Sequence, residues 1–230
     1  MPAPPLLIGA DGCRGGWLVA LQSRDGTTVS ERWRTAQLAA AILAPGTRVV
    51  IDIPIGLAAD QPRRCDGAAR RQLGWPRSST VFSAPVRSAL ATDSYSEAQA
   101  RQRSRLRRGL SRQTYGILDK VRQVDALAGG PGGARIAEGH PELSFQAMAG
   151  SPRGLTSKHS AAGRRERLDL LRASFPQLRL DLRPRSVEDV LDAYACLWSA
   201  RRWAQGRARW LPAHEDQLDL ALGRPMRIWY

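Results

Sequence analysis

Cysteine is scarce in this sequence. The three residues, Cys13, Cys65 and Cys196, are odd in number and form no CxxC pair. That count argues against a disulfide framework and against a structural zinc site, and a reducing cytoplasm fits it. Long apolar runs are missing too. No segment approaches the ~20 apolar residues of a membrane span, and the first residues lack the charged run and apolar stretch of a secretion signal. The expectation is a soluble, cytoplasmic protein with no membrane partner. Lysine is the third scarcity. Lys120 and Lys158 are the only two, so nearly all of the 35 basic residues are arginine. Against 21 acids this gives a net charge of +14, which permits a polyanionic partner, DNA or RNA. The arginine skew, with abundant Ala and Gly, is equally what a GC-rich genome produces, so charge alone establishes no partner and leaves oligomeric state open.

Apolar material is sufficient for a core. The hydrophobic fraction is 43% over 230 residues, which suits one large domain, or one domain with a sizeable insertion, and not disorder. Residues 6–10 read as a short apolar strand ending in Asp11, followed by a glycine-rich turn and a second strand over 17–21. Asp25-Gly26 is a hairpin signal, so 28–33 completes an antiparallel meander. A short helix follows over 36–43 with Thr35 as its candidate N-cap. Residues 48–53 form a continuous β-branched run, the pattern of a strand covered on both faces. From about 58 to 133 the chain reads as a mostly helical insertion, with a basic helix around 96–108 and another helix over 114–127. Residues 134–138 return as a strand, Pro141 suits a first helical turn, and helices follow over 163–175 and 186–205. Residues 210–230 read as short and irregular. The order is that of an α/β protein.

Carboxylates draw the chemistry. Asp52 directly follows Val49-Val50-Ile51, and a lone carboxylate in a buried strand is costly. Strand ends in open sheets are where sites are built, although an acid before a Pro/Gly turn also caps that turn. Asp11 ends the first strand in the same way, with a turn residue before Gly12 as its plain reading. Two acids ending neighbouring strands point into one space, where they repel unless a cation lies between them. Magnesium and manganese prefer oxygen ligands, so the pair is a candidate cage. Asp189 and Asp192 share one face of the last helix. Ser186-Val187-Glu188-Asp189 resembles a capping box, which accounts for Asp189 without function, but Asp192 lies too far in. Its face continues as Ala193, Cys196, Ser199 and Ala200, small enough for close approach to a sheet. The opposite face is apolar, so a sandwiched helix is expected. Glu142 falls in a first helical turn, where acids are stabilised regardless of function. His140 is a candidate general base, a ligand or a satisfied loop histidine. No serine, cysteine or histidine shows a nucleophile arrangement.

Several segments resemble one family. Gly9-Ala10-Asp11-Gly12-Cys13-Arg14-Gly15-Gly16-Trp17 looks like the opening motif of the domain-of-unknown-function family numbered 429, described as predicted RNase H-like nucleases. Ile51-Asp52-Ile53-Pro54-Ile55-Gly56-Leu57, Ser79-Thr80-Val81-Phe82-Ser83-Ala84-Pro85, His140-Pro141-Glu142, Lys158 with Gly163-Arg164, and Asp189-Val190-Leu191-Asp192-Ala193 follow in order. The resemblance implies an RNase H-like mixed sheet, an antiparallel three-strand meander plus parallel strands flanked by helices, as a single domain over 1–230. It implies Asp11, Asp52 and Asp192 as metal ligands for Mg²⁺ or Mn²⁺. The Asp189/Asp192 pair is similar to that of RuvC-type resolvases, which carry Glu where this chain has Asp52.

The function implied is a divalent-metal-dependent nuclease hydrolysing phosphodiesters with two ions. Asp11 would bridge the ions, Asp52 and Asp192 would each hold one, and Asp189, Glu142 or His140 would orient water. Lys158 and His140 are candidate substrate contacts. So are Arg101, Arg105 and Arg108, which with Arg112 recur at helical spacing as a positive stripe; a solvated helix face is the plain reading of that stripe. Two rivals stand beside this reading. One is a nucleotide-binding phosphotransferase of the actin-like or sugar-kinase type, whose phosphate hairpin the 11–16 turn resembles. The other is a non-catalytic nucleic-acid-binding module.

Overall fold

The computed structural model describes residues 6–23, 25–150, 155–178, 180, 187–214 and 216–230. Its sheet grows from the apolar runs. Strands β1 (Leu7–Cys13), β2 (Gly16–Gln22) and β3 (Thr28–Trp33) form the antiparallel meander. Helix α1 (Thr35–Leu43) then leads to β4 (Arg48–Ile51), which pairs in parallel with β1. Only helical segments lie between β4 and β5 (Ile136–Gly139): α2 (Arg64–Leu73), α3 (Tyr95–Leu106), α4 (Arg112–Gly116), α5 (Leu118–Gly129) and three short 3-10 turns. After β5 come α6 (Pro141–Ala149), α7 (Ala161–Ser174) and α8 (Val187–Ala204). Four two-residue strands finish the chain: β6 (Trp210–Leu211), β7 (Leu218–Asp219), β8 (Arg224–Pro225) and β9 (Ile228–Trp229).

The main sheet has seven strands in the order β3-β2-β1-β4-β5-β9-β6. Pairs β1/β4, β4/β5 and β5/β9 are parallel and the others antiparallel. This is the α/β mixed sheet expected. Alternation along the strands sends side chains to two cores. Ile8, Ala10, Val19, Leu21, Val49 and Ile51 join Leu38 of α1 and Val121 and Val124 of α5 on one face. Leu18 and Ala20 join Tyr194 and Leu197 of α8 and Leu168 and Leu171 of α7 on the other. Coverage on both faces explains why β1, β2 and β4 are apolar without alternation.

Four local expectations are corrected. Thr35 is not the N-cap of α1: Arg34 is, with Gln37 Oε1 accepting its backbone N–H at 2.9 Å. Thr35 Oγ1 is engaged elsewhere, accepting from Trp17 Nε1 at 3.1 Å and donating to Gln123 at 2.7 Å. The helix expected over 114–127 is two helices that meet at Ile117. The basic helix ends at Leu106, because Arg107 turns left-handed at φ 54°. Arg108 and Arg112 therefore leave the line of Arg101 and Arg105, and no continuous stripe forms. The tail over 210–230 is not wholly irregular, since β9 extends the sheet beyond β5 and β6 pairs with β9. The capping box expected for the last helix begins at Ser186, which lies outside the described residues.

Candidate active site

Asp11 does not end the first strand as expected, because β1 continues to Cys13, but register still puts it beside Asp52, which lies just past the end of β4. Ala10 pairs with Ile51, and one step further the Asp52 N–H donates to Ala10 O at 3.0 Å. Ala10 and Ile51 point into the α1/α5 core, so Asp11 and Asp52 face the opposite side, where α8 runs. The helix lies directly on the sheet there. A Cβ added at Gly9 would sit 2.0 Å from Leu197 N and 2.1 Å from Ala193 O, so only glycine admits the backbone of α8. The small face foreseen for this helix serves that contact, with Cys196 and Ala200 packed on Val50 and Ala137. Asp192, one turn before Cys196, thus reaches the end of the sheet that carries Asp11 and Asp52. The buried Cys196 thiol is pushed well up by burial and by the charges of Asp52, Asp11 and Asp192 together.

Electrostatics binds the three acids into one unit. Asp11 is pushed well above the usual carboxylate range by burial, then by Asp52, Asp192 and Asp189. Asp52 is pushed up to about 7 by burial and by Asp192, with Lys158 opposing. Asp192 is raised by burial although Lys158 Nζ donates to its Oδ2 at 2.8 Å. Burial works against the Lys158 charge, but Asp192, Asp52 and Glu142 hold the ammonium protonated. Half-buried Asp189 is raised by burial, opposed by Lys158 and Arg32. Asp11 accepts from the Gly12 N–H at 2.6 Å. Among the described residues Asp52 has neither a hydrogen bond nor an ion-pair partner on its side chain.

Asp11, Asp52, Glu142, Lys158, Asp189 and Asp192 line one cavity of about 780 Å³. A family model described as a protein of unknown function (DUF429) matches residues 9–217. The chain belongs to DUF429. No curated protein and no solved structure matches it.

The remaining expected residues of this DUF429 chain take distinct places. Glu142, in the first turn of α6, is buried and gripped by Arg167, whose Nη2 donates to both carboxylate oxygens at 2.8 Å. Arg167 also donates to Thr156 O and Gly163 O, so Glu142 enters the site as a fixed charge. His140 is the N-cap residue of α6 and lines the cavity. Burial lowers its pKa, its Nε2 lies 3.4 Å from Thr80 O, and its buried Nδ1 has no partner among the described residues. Arg101 and Arg105 sit on α3 outside this cavity, with Arg101 3.8 Å from Glu97. Arg108 lies past the end of α3 and lines a second cavity.

Sequence reasoning missed three features. Lys120 lines the cavity, its Nζ donating to Gly16 O at 2.6 Å and lying 4.2 Å from the Trp17 ring centre. Both lysines of the chain therefore face one site, and their rarity was the available signal. The segment of Ser79, Thr80, Val81 and Phe82 forms a wall. The loop after Asp52 is held by buried acids: Glu138 accepts from Ile55 N at 2.7 Å and from the Arg63 guanidinium, and Asp219 accepts from Leu57 N at 2.8 Å. Burial, opposed by Arg63, moves Glu138 to about 7.

The donor set suits a hard cation in its chemistry, being carboxylate oxygen throughout. Burial raises all three acids; Asp52 and Asp192 charges raise Asp11 further, Asp192 and Glu142 raise Asp52, and Glu142 raises Asp192, against the Lys158 ammonium. Among the described residues no three His, Cys, Asp or Glu side chains enclose a single ion as they stand, and Lys158 occupies one oxygen of Asp192. Loading a metal therefore requires that ammonium to yield.

Proposed function

We propose that this DUF429 protein is a divalent-metal-dependent phosphodiester hydrolase, a nuclease, with Asp11, Asp52 and Asp192 as the ligands of Mg²⁺ or Mn²⁺. The observation that carries the reading is the convergence of three buried carboxylates on one cavity, Asp11 from β1, Asp52 from just past β4 and Asp192 from α8. Holding such charges together is costly without a cation, and a site that keeps them is built to receive one. Bound there, the ion would supply an activated water and neutralise charge on a phosphate.

The chain's own groups do the rest. Asp11 feels the charges of Asp52, Asp192 and Asp189 alike, so it is the acid able to serve both sides of the site. Lys158 neutralises Asp192 in the metal-free state and, displaced from it, is free to meet a phosphate oxygen. His140, its pKa lowered by burial, lines the cavity beside these acids. Arg14 and Lys120 line the hairpin side of the cavity and attract the anionic substrate. Glu142, locked by Arg167, keeps Lys158 charged. Glu138 and Asp219 fix the loop that follows Asp52, so the carboxylate is presented rigidly.

The test is hydrolysis of bis(p-nitrophenyl) phosphate and of labelled oligonucleotides with Mn²⁺. The wild type is expected to turn over and Asp11→Asn to lose at least about a hundredfold in rate. An Asp11→Asn protein with unchanged activity would sink the proposal.

A further inference from the structure

We infer that the groove runs on from the carboxylate cavity into a second, phosphate-binding subsite, and that the substrate is a single-stranded nucleic acid stacked on Phe82; this rests on the hydrolase reading and extends it. A second cavity of about 450 Å³ shares Val81, Phe82 and Gln113 with the first. The two differ sharply in charge. The first is lined by acids, whereas among the described residues no carboxylate lines the second, which carries Arg70 and Arg108. A ligand crossing both would place a metal-bound group in one and an anion in the other.

The second cavity has donors to spare. Gln102 is buried; its Oε1 accepts from Val86 N at 2.8 Å, and its Nε2, also buried, has no partner among the described residues. Exposed Arg108 makes no hydrogen bond or ion pair among the described residues. A buried amide N–H without an acceptor is unfavourable, and a phosphate oxygen would satisfy it. Arg70 has a different task, since its guanidinium is bound to Val81 O at 2.8 and 3.1 Å and to Ser83 Oγ at 2.9 Å.

That clamp explains Phe82. Thr114 Oγ1 donates to Ser83 O at 3.2 Å, and Ala84 N donates to buried Asp66 at 3.1 Å. Val81 and Ala84 are buried on either side. Phe82 is nonetheless 44% exposed, a large aromatic side chain on a tethered segment at the junction of the two cavities. An aromatic face beside a cationic groove is the arrangement that binds single strands, because every base offers a stacking face. A duplex keeps its bases stacked on each other and has no face free for Phe82.

The test is fluorescence anisotropy in EDTA, where no cleavage intervenes. Labelled single-stranded oligomers of about six nucleotides, deoxy and ribo, are compared with a labelled mononucleotide and a hairpin duplex. The wild type is expected to bind at least one of the single strands about tenfold more tightly than the mononucleotide and the duplex. Phe82→Ala and Arg108→Glu, both at exposed side chains, should each remove about tenfold, and Arg108→Lys should retain most of it. Mn²⁺ titration should match the wild type in all three. Equal binding of oligomer and mononucleotide by the wild type, or unaltered oligomer affinity in both variants, overturns the inference. Preference for the duplex does the same. Oligomer binding as expected with no Mn²⁺ binding keeps the subsite and removes the hydrolase. Mn²⁺-dependent hydrolysis without any length effect removes the subsite alone.

Discussion

Replacing Asp52 with asparagine should stabilise the metal-free protein in alkaline solution. In the folded chain the carboxyl is moved from 3.8 to about 7, which corresponds to roughly 4 kcal/mol. Asp52 keeps partial solvent contact on the cavity floor, which reduces this to about 2 kcal/mol. The folded state therefore holds a proton that the unfolded state has released. Stability falls as pH rises from about 4 to about 7 and levels off above. Asparagine titrates nowhere and escapes that loss. In EDTA at pH 8, Asp52→Asn should be about 2 kcal/mol more stable than wild type, or about 4–8 °C in Tm for a chain of this length, with the difference nearly gone at pH 4. Saturating Mn²⁺ should reverse the order, since a ligand at a hundredfold its Kd adds about 2.7 kcal/mol to the wild type. Urea unfolding at pH 4, 6 and 8, with and without Mn²⁺, reads all of this. A pH-independent difference, or a variant less stable at pH 8, would refute the reasoning.

Gly9→Ala should cost about 3 kcal/mol or more by forcing α8 off β1, because the new Cβ meets backbone on two sides; urea unfolding and weakened Mn²⁺ binding check it. Arg167→Met should cost about 3–5 kcal/mol by leaving Glu142 charged and buried, and pairing it with Glu142→Gln should recover part of that in a double-mutant cycle. Lys158→Met should raise Mn²⁺ affinity by about tenfold, since it frees an oxygen of Asp192 and removes a competing charge, while slowing hydrolysis; calorimetry and steady-state rates separate the two effects.

How much was legible in the sequence depended on how far each feature reaches along the chain. The meander and β4 were readable because their apolar runs are local and the sheet is covered on both faces. The sandwiching of α8 followed from its two unlike faces, and Asp11, Asp52 and Asp192 from their places after apolar runs and mid-helix. The roles of Glu142 and Asp192 without metal were not readable, because each depends on a partner far along the chain, Arg167 and Lys158. Strands β6 and β9 escaped because two residues carry no periodicity and depend on pairing with each other and with β5. The arginine stripe failed on one backbone angle at Arg107, which side-chain spacing does not report. Lys120 lay in an expected helix, and only the scarcity of lysine marked it.

Calorimetric titration of Mn²⁺ at pH 6 into the wild type and into Asp11→Asn/Asp52→Asn tests the central claim most directly. The account predicts saturable binding by the wild type with release of protons, because the Asp52 carboxyl, pushed up to about 7, holds a proton at that pH and must lose it to bind metal. It predicts no binding by the double variant. A wild type that binds no Mn²⁺, or a double variant that binds it equally well, contradicts the assignment of these carboxylates as a metal centre.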